Sequence, residues 1–98
     1  MLKMYYLVAI YKTKHMNKEN FMNYFKDCKT SFKFTDEKIL AYPMKGNIKG
    51  RYAIALFLAS EGKAKEIEEN IKKDENVIKE VLLESAYSEE EIEQVMNL

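Results

Sequence analysis

The stretch Met4 to Tyr11 (MYYLVAIY) gathers aromatic and β-branched residues between polar flanks, a pattern that predicts a buried strand. Lys12-Thr13-Lys14-His15-Met16 then reads as a polar turn, and Asn17 as a helix N-cap. Phe21, Tyr24, Phe25 and Cys28 follow at i, i+3, i+4 and i+7, which predicts a short helix with one apolar face. From Thr30 to Pro43 the chain carries Ser31, Phe32, Phe34 and Thr35, then Ile39, Leu40, Ala41 and Tyr42. It predicts one long second strand, stopped at Pro43 or placed on an edge there because proline has no N–H for the ladder.

Met44 to Gly50 (MKGNIKG) predicts an exposed loop, in which two glycines and an asparagine tolerate positive φ. Arg51 to Ala59 (RYAIALFLA) is nearly continuous apolar sequence and predicts a central strand. Ser60 can cap a second helix whose apolar stripe is Ala64, Ile67 and Ile71, with Glu61, Lys65, Glu66, Glu68, Glu69, Lys72 and Lys73 facing solvent. Asp74-Glu75-Asn76 turns into a fourth strand over residues 77–83. Ser88 with Glu91 forms a capping-box pattern ahead of Ile92, Val95 and Met96, which predicts a short acidic tail helix. The fold class expected is α+β, a ferredoxin-like βαββαβ unit: a four-stranded antiparallel sheet with two helices on one face. Residues 1–84 form the domain in this reading and residues 85–98 the tail.

Composition narrows the function classes. With 98 residues, 47% apolar and 33% charged, one soluble domain with a single core is expected. No apolar run approaches the roughly 20 residues of a membrane helix. Strand-like sequence begins almost at Met1, so no cleavable address is expected. Cys28 has no second cysteine to pair with and reads as a small hydrophobe. His15 is the sole histidine, no Cys/His cluster has ligand spacing, and neither a metal nor another cofactor is implied. Net charge is zero, yet residues 1–52 hold 11 Lys/Arg against 4 Asp/Glu while residues 53–98 hold 5 against 12. That split predicts one surface suited to phosphate and another that avoids it.

Beyond this, Lys38-Ile39-Leu40-Ala41-Tyr42-Pro43-Met44, with Gly50-Arg51-Tyr52 after it, resembles the pattern of the small-subunit ribosomal protein six family of bacteria and organelles. That pattern is a basic residue, Leu-Ala-Tyr-Pro-Ile, a short basic loop and Gly-x-Tyr. Lys72-Lys73-Asp74-Glu75-Asn76-Val77-Ile78-Lys79 is similar, in register, to the family's basic-acidic turn and Val-Ile-Arg. Lys3 and Tyr5 loosely match its basic-x-Tyr opening. This chain departs from the pattern in having Asp36 and Glu37 before a single Lys38, and Lys79 in place of arginine.

The resemblance implies a non-catalytic constituent of the subunit platform, located on a ribosome in bacterial cytoplasm, mitochondrion or plastid. It implies binding to the central domain of small-subunit rRNA together with ribosomal protein eighteen, a monomer outside the ribosome, and neither a membrane nor a small-molecule substrate. Lys38, Lys45, Lys49, Arg51 and Lys79, with Lys3 weaker, are the residues expected to neutralise phosphates. Tyr42 and Tyr52 are expected to stack on bases or pack in the sheet. Asp36, Glu37 and Lys38, on an edge strand, are the expected protein-partner edge.

Two other readings compete. An acylphosphatase-like enzyme would need an arginine and a glycine-lined cradle after the first strand, and residues 12–16 offer neither. A ligand-sensing or oligomerising ferredoxin-like regulatory domain would bury its open sheet face against a twin copy.

Overall fold

The computed structural model describes residues 2–85. Its elements are β1 (Lys3–Tyr11), α1 (Lys18–Asn23), β2 (Thr30–Phe34), β3 (Lys38–Met44), β4 (Asn47–Ala59), α2 (Glu61–Lys72) and β5 (Val77–Glu84). The strands run antiparallel in the order β2-β4-β1-β5, and β3 pairs with β4. Alternation along β1 sends Tyr5, Leu7, Ala9 and Tyr11 toward the helices, where they meet Phe21, Ala64, Ile67 and Ile71. Both helices therefore cover one face, the ferredoxin-like arrangement that the pattern predicts. The expected tail helix lies outside the described residues.

Helix-side packing is dominated by rings. Phe25 contacts Phe57 at a centroid distance of 4.9 Å and Phe32 at 5.5 Å, within the range of favourable edge-on pairs. Ala9, Ala53, Ala55 and Ala59 are fully or almost fully buried beneath them. Their small side chains leave the central strands room for those rings. Each helix starts where its cap dictates. Asn17 Oδ1 accepts the Asn20 N–H at 3.1 Å, and Ser60 Oγ accepts the Lys63 N–H at 3.2 Å.

Three elements differ from the sequence pattern, each for a local reason. The first helix ends at Asn23. Phe25 and Cys28 continue its apolar face through tighter turns, with N–H donation to the carbonyls of Met22 and Phe25 three residues back.

The single strand expected over residues 30–43 is two strands. Phe34 sits opposite Ala53 and Lys38 opposite Gly50, so three residues on one side face two on the other, a β-bulge. At the break, the Tyr52 N–H donates to the Thr35 hydroxyl at 3.1 Å, while the Thr35 N–H donates to the Tyr52 carbonyl at 3.0 Å. A side-chain oxygen thus takes the place of a ladder carbonyl, and the chain turns out of register.

The expected loop over residues 44–50 is a tight hairpin turn, with β4 reaching back to Asn47. Lys45 and Gly46 have φ of 47° and 79°, the two consecutive positive values that a two-residue type I′ hairpin needs. Asn47 Nδ2 ties the turn by donating to the Met44 and Lys45 carbonyls at 3.3 and 3.1 Å.

Candidate nucleic-acid interface

Beyond Gly50, β4 leaves the main sheet and carries β3 with it as a projecting hairpin. Gly50 is where this arm meets the body. A Cβ there would lie 2.8 Å from Ile10 Cγ2 and 3.2 Å from the Tyr11 carbonyl oxygen. The glycine is thus needed for close approach; of the two glycines in the predicted loop, Gly46 alone uses positive φ. Leu40 of β3 closes the contact, forming a small apolar cluster with Ile10 and Ile78, against which Tyr52 and Met44 pack. Ile78 is available because the β1–β5 register shifts between Ile10 and Tyr11, placing one extra residue on β5.

This second cluster holds the arm against the sheet end, and cations gather around it. One groove of about 450 Å³ is lined by Tyr42, Met44 and Lys45 from the arm and by Lys72, Lys79 and Glu80 from the body. On the other side of the turn, a hollow of about 370 Å³ is lined by Lys12, Lys14, His15, Asn47 and Lys49. Tyr42 is 59% exposed, with an open ring face. Lys45 and Lys79 are exposed and make no ion pair among the described residues.

The structure therefore brings together Tyr42, Lys45, Lys49, Arg51, Tyr52 and Lys79 of the residues read from sequence. Tyr52 is half-buried on Ile10, so packing is its clear structural role. Arg51 is half-buried opposite Tyr11, and its Nε is buried without a hydrogen-bond partner among the described residues. Lys49 is held by Glu37 at 3.4 Å, which also locates Asp36, Glu37 and Lys38 at the exposed β2–β3 bend. Lys3 does not join the group. It pairs with Ala59 across the sheet, eight residues along β1 from the Tyr11–Arg51 pair, about 27 Å away at strand rise. There it bonds Glu84 at 3.3 Å, the contact that raises its ammonium pKa.

Lys12, Lys14 and Lys72 escape a reading by sequence blocks, because a turn and a helix end bring them to the arm from far along the chain. The signal available for the first two was the basic turn after β1. Lys72 is partly neutralised by Glu69 at 3.6 Å and Glu80 at 3.7 Å. Glu80 itself points under α2, opposite Ala9, and its carboxyl is pushed up to about 7. Burial is the main cause, nearby Glu68 adds to it and Lys72 opposes it. Cys28 lies elsewhere, and burial pushes its thiol up, away from a reactive thiolate. Among the described residues no cluster of three metal-ligating side chains occurs.

A surface of lysines with an open tyrosine ring can neutralise phosphates and stack a base. Comparison with known proteins gives this geometry a family. A family model described as ribosomal protein S6 matches residues 19–84, which contain the whole β3–β4 arm. The crystal structure of 30S ribosomal protein S6 from Thermotoga maritima superposes with a TM-score of 0.73 at 13% identity, covering 99% of this chain and 96% of that one. No curated protein sequence matches the chain. The family match extends over two thirds of the sequence and coincides with the ferredoxin-like fold, and on that basis the chain belongs to the ribosomal protein S6 family of small-subunit ribosomal proteins.

Proposed function

We propose that this protein is a structural, non-catalytic constituent of the small ribosomal subunit that binds the central domain of its rRNA through the β3–β4 arm. The observation that carries the reading is the convergence of Tyr42, Lys45 and Lys79 on one groove, with Lys12, Lys14 and Lys49 around the other side of the same turn. Lys45 and Lys79 are the leading phosphate contacts, since neither must first break an ion pair. Lys49 must exchange Glu37 for phosphate, so its net contribution is smaller. Lys38 and Arg51 flank the arm's root, and Tyr42 supplies a stacking face. Lys3, at the far end of β1, has no part in this contact.

Ribosomal protein eighteen is the proposed protein partner, meeting the exposed bend at Asp36, Glu37 and Lys38. There β2 and β3 both present their outer edges, because among the described residues each pairs with β4 alone. Outside the ribosome the chain is read as a monomer. The test is the salt dependence of binding to a small-subunit rRNA central-domain fragment. Lys45→Ala with Lys49→Ala should lower the log–log slope by up to about two, with Lys45→Ala giving the larger share. An unchanged slope removes the arm from the interface. Co-sedimentation of the intact protein with small subunits at moderate salt tests the assembly itself, and recovery solely in the free pool overturns it.

A further inference from the structure

Between the end of β1, the start of α1 and the end of α2 lies a polar hollow of about 320 Å³ that the arm does not line. Tyr11 is its most deeply buried wall, 1% exposed, and the Tyr11 hydroxyl is buried without a hydrogen-bond partner among the described residues. Burial pushes the pKa of this phenol up, and Asp74 and then Tyr24 push it further. Both of those residues line the same hollow, so the hydroxyl stands toward it rather than toward the apolar core. It stays protonated and is a donor with nothing to donate to, a costly state that an arriving acceptor would relieve.

Much of the remaining wall is amide. Asn20 of α1, Asn70 of α2 and Asn76 of the turn after it make no side-chain hydrogen bond among the described residues, and each amide offers donors and an acceptor side by side. Lys73 and Asp74 add one charge of each sign. The hollow beside the hairpin turn is different: Lys12, Lys14 and Lys49 line it and no carboxylate does. That one suits phosphate. The amide-rich one suits a ring whose edge alternates donors and acceptors, as a nucleobase edge does, and asparagine is a common partner of such edges. Its volume stands at the small end of the roughly 300–1,000 Å³ of ligand sites, which favours a ring over a longer chain. His15 lines both hollows, so they adjoin, and the rings of His15 and Tyr24 offer faces on which a base can stack.

We propose that this hollow receives one unpaired base of the RNA whose phosphates lie at the β3–β4 arm, with Asn20, Asn70 and Asn76 pairing its edge and the Tyr11 hydroxyl donating to it. The inference deepens the rRNA reading and rests on it. Lysines at the arm supply sequence-independent affinity, and the hollow adds a requirement for an unstacked base next to the bound phosphates.

The test compares the full-length chain with its Asn20→Ala, Asn70→Ala variant. Both positions are exposed on helices, where alanine is favourable, so the thermal melt should be unchanged. On a small-subunit rRNA central-domain fragment the variant should bind roughly tenfold more weakly, the loss of two ordinary hydrogen bonds. Its log–log salt slope should stay the same, because no cation is removed. Adenosine, guanosine, cytidine and uridine, which carry no phosphate, are titrated separately. At least one should shift the NMR signals of Tyr11 and Tyr24 in the unaltered protein, and less so in the variant. If no nucleoside moves these signals, the proposal is overturned. If nucleosides move them but the variant binds the fragment as tightly as the unaltered protein, the hollow takes a free ligand and the proposal is overturned as well. A lowered salt slope in the variant assigns its loss to phosphate contacts, with the same consequence. Failure of the arm reading shows elsewhere, as an unchanged slope for Lys45→Ala with Lys49→Ala, and the asparagine and nucleoside results then decide the hollow alone. If the asparagine variant does not fold, Tyr11→Phe, which removes only the hydroxyl, takes its place in both assays, with a several-fold loss expected and an unchanged affinity overturning the proposal.

Discussion

Glu80 is the position at which stability should respond most clearly to pH. Its side chain is 9% exposed, it faces α2 from β5, and its Oε2 has no hydrogen-bond partner among the described residues. Because its carboxyl rises from 4.5 to about 7, the folded protein holds this proton more tightly than the unfolded chain does. The folded state is therefore favoured below about pH 4.5, and that advantage is lost as pH rises through about 7. At about 1.4 kcal/mol per pH unit, the full displacement corresponds to about 3 kcal/mol. Glu68 shares the titration, so the value belongs to the pair. Lys72, half exposed, brings solvent to the rim of the site, and screening reduces the figure to about 1–2 kcal/mol. Glu80→Gln keeps the shape and removes the charge. It should stabilise the protein by that amount at pH 8, as read from urea unfolding midpoints at unchanged slope, and by almost nothing near pH 4. A variant that is less stable at pH 8, or equally shifted at both pH values, would refute the buried-carboxylate account.

Gly50→Ala places a methyl group against Ile10 Cγ2 and the Tyr11 carbonyl, neither of which can move freely. It should cost about 1–3 kcal/mol and lower Tm by several degrees, and an unchanged thermal melt would show that the arm is not seated there. Phe25→Ala and Tyr42→Ala should separate core from surface. The first should cost about 3–5 kcal/mol of stability because Phe25 is 1% exposed against Phe57. The second should leave the melt unchanged and weaken RNA-fragment binding by about 1–3 kcal/mol if its ring stacks a base.

What the sequence made legible was whatever depends on periodicity and caps. β1 announces itself through its run of aromatic and β-branched residues and α2 through the Ala64–Ile67–Ile71 stripe and Ser60, and Tyr5, Leu7, Ala9 and Tyr11 of β1 are buried with all three stripe residues of α2. The splitting of β2 from β3 was hidden because it turns on one hydroxyl, that of Thr35, accepting a backbone N–H from a residue 17 positions away. Hydropathy carries no record of that bond. The hairpin turn was hidden for a related reason. A lysine, not the expected glycine or asparagine, takes the first positive-φ position, while Gly50 serves a steric contact visible only in three dimensions. The interface divides along the same line. Tyr42, Lys45, Lys49 and Arg51 are neighbours in sequence and were readable together, whereas Lys12, Lys14 and Lys72 become neighbours only through strand register and the helix-end position.

That register also explains how a chain of zero net charge can present a basic surface. α2 leaves β4 beside Ala59, at the Lys3 end of the sheet, and returns to β5 at Val77, opposite Tyr11 and next to the arm. Its first turn carries Glu61 and its last carries Lys72, the distribution that the helix dipole favours and one that also sorts charge along the molecule. Twelve residues of helix separate these ends by about 18 Å, more than twice the roughly 8 Å screening length of physiological salt. A phosphate at the arm therefore meets Lys12, Lys14, Lys45, Lys49 and Lys79 at short range and scarcely feels Glu61 or Glu84. Among the described residues Glu37 offsets the field by holding Lys49, and Glu69 and Glu80 offset it by holding Lys72. If phosphate binds at the arm, Glu37→Gln should strengthen binding by releasing Lys49, in the direction opposite to Lys45→Ala.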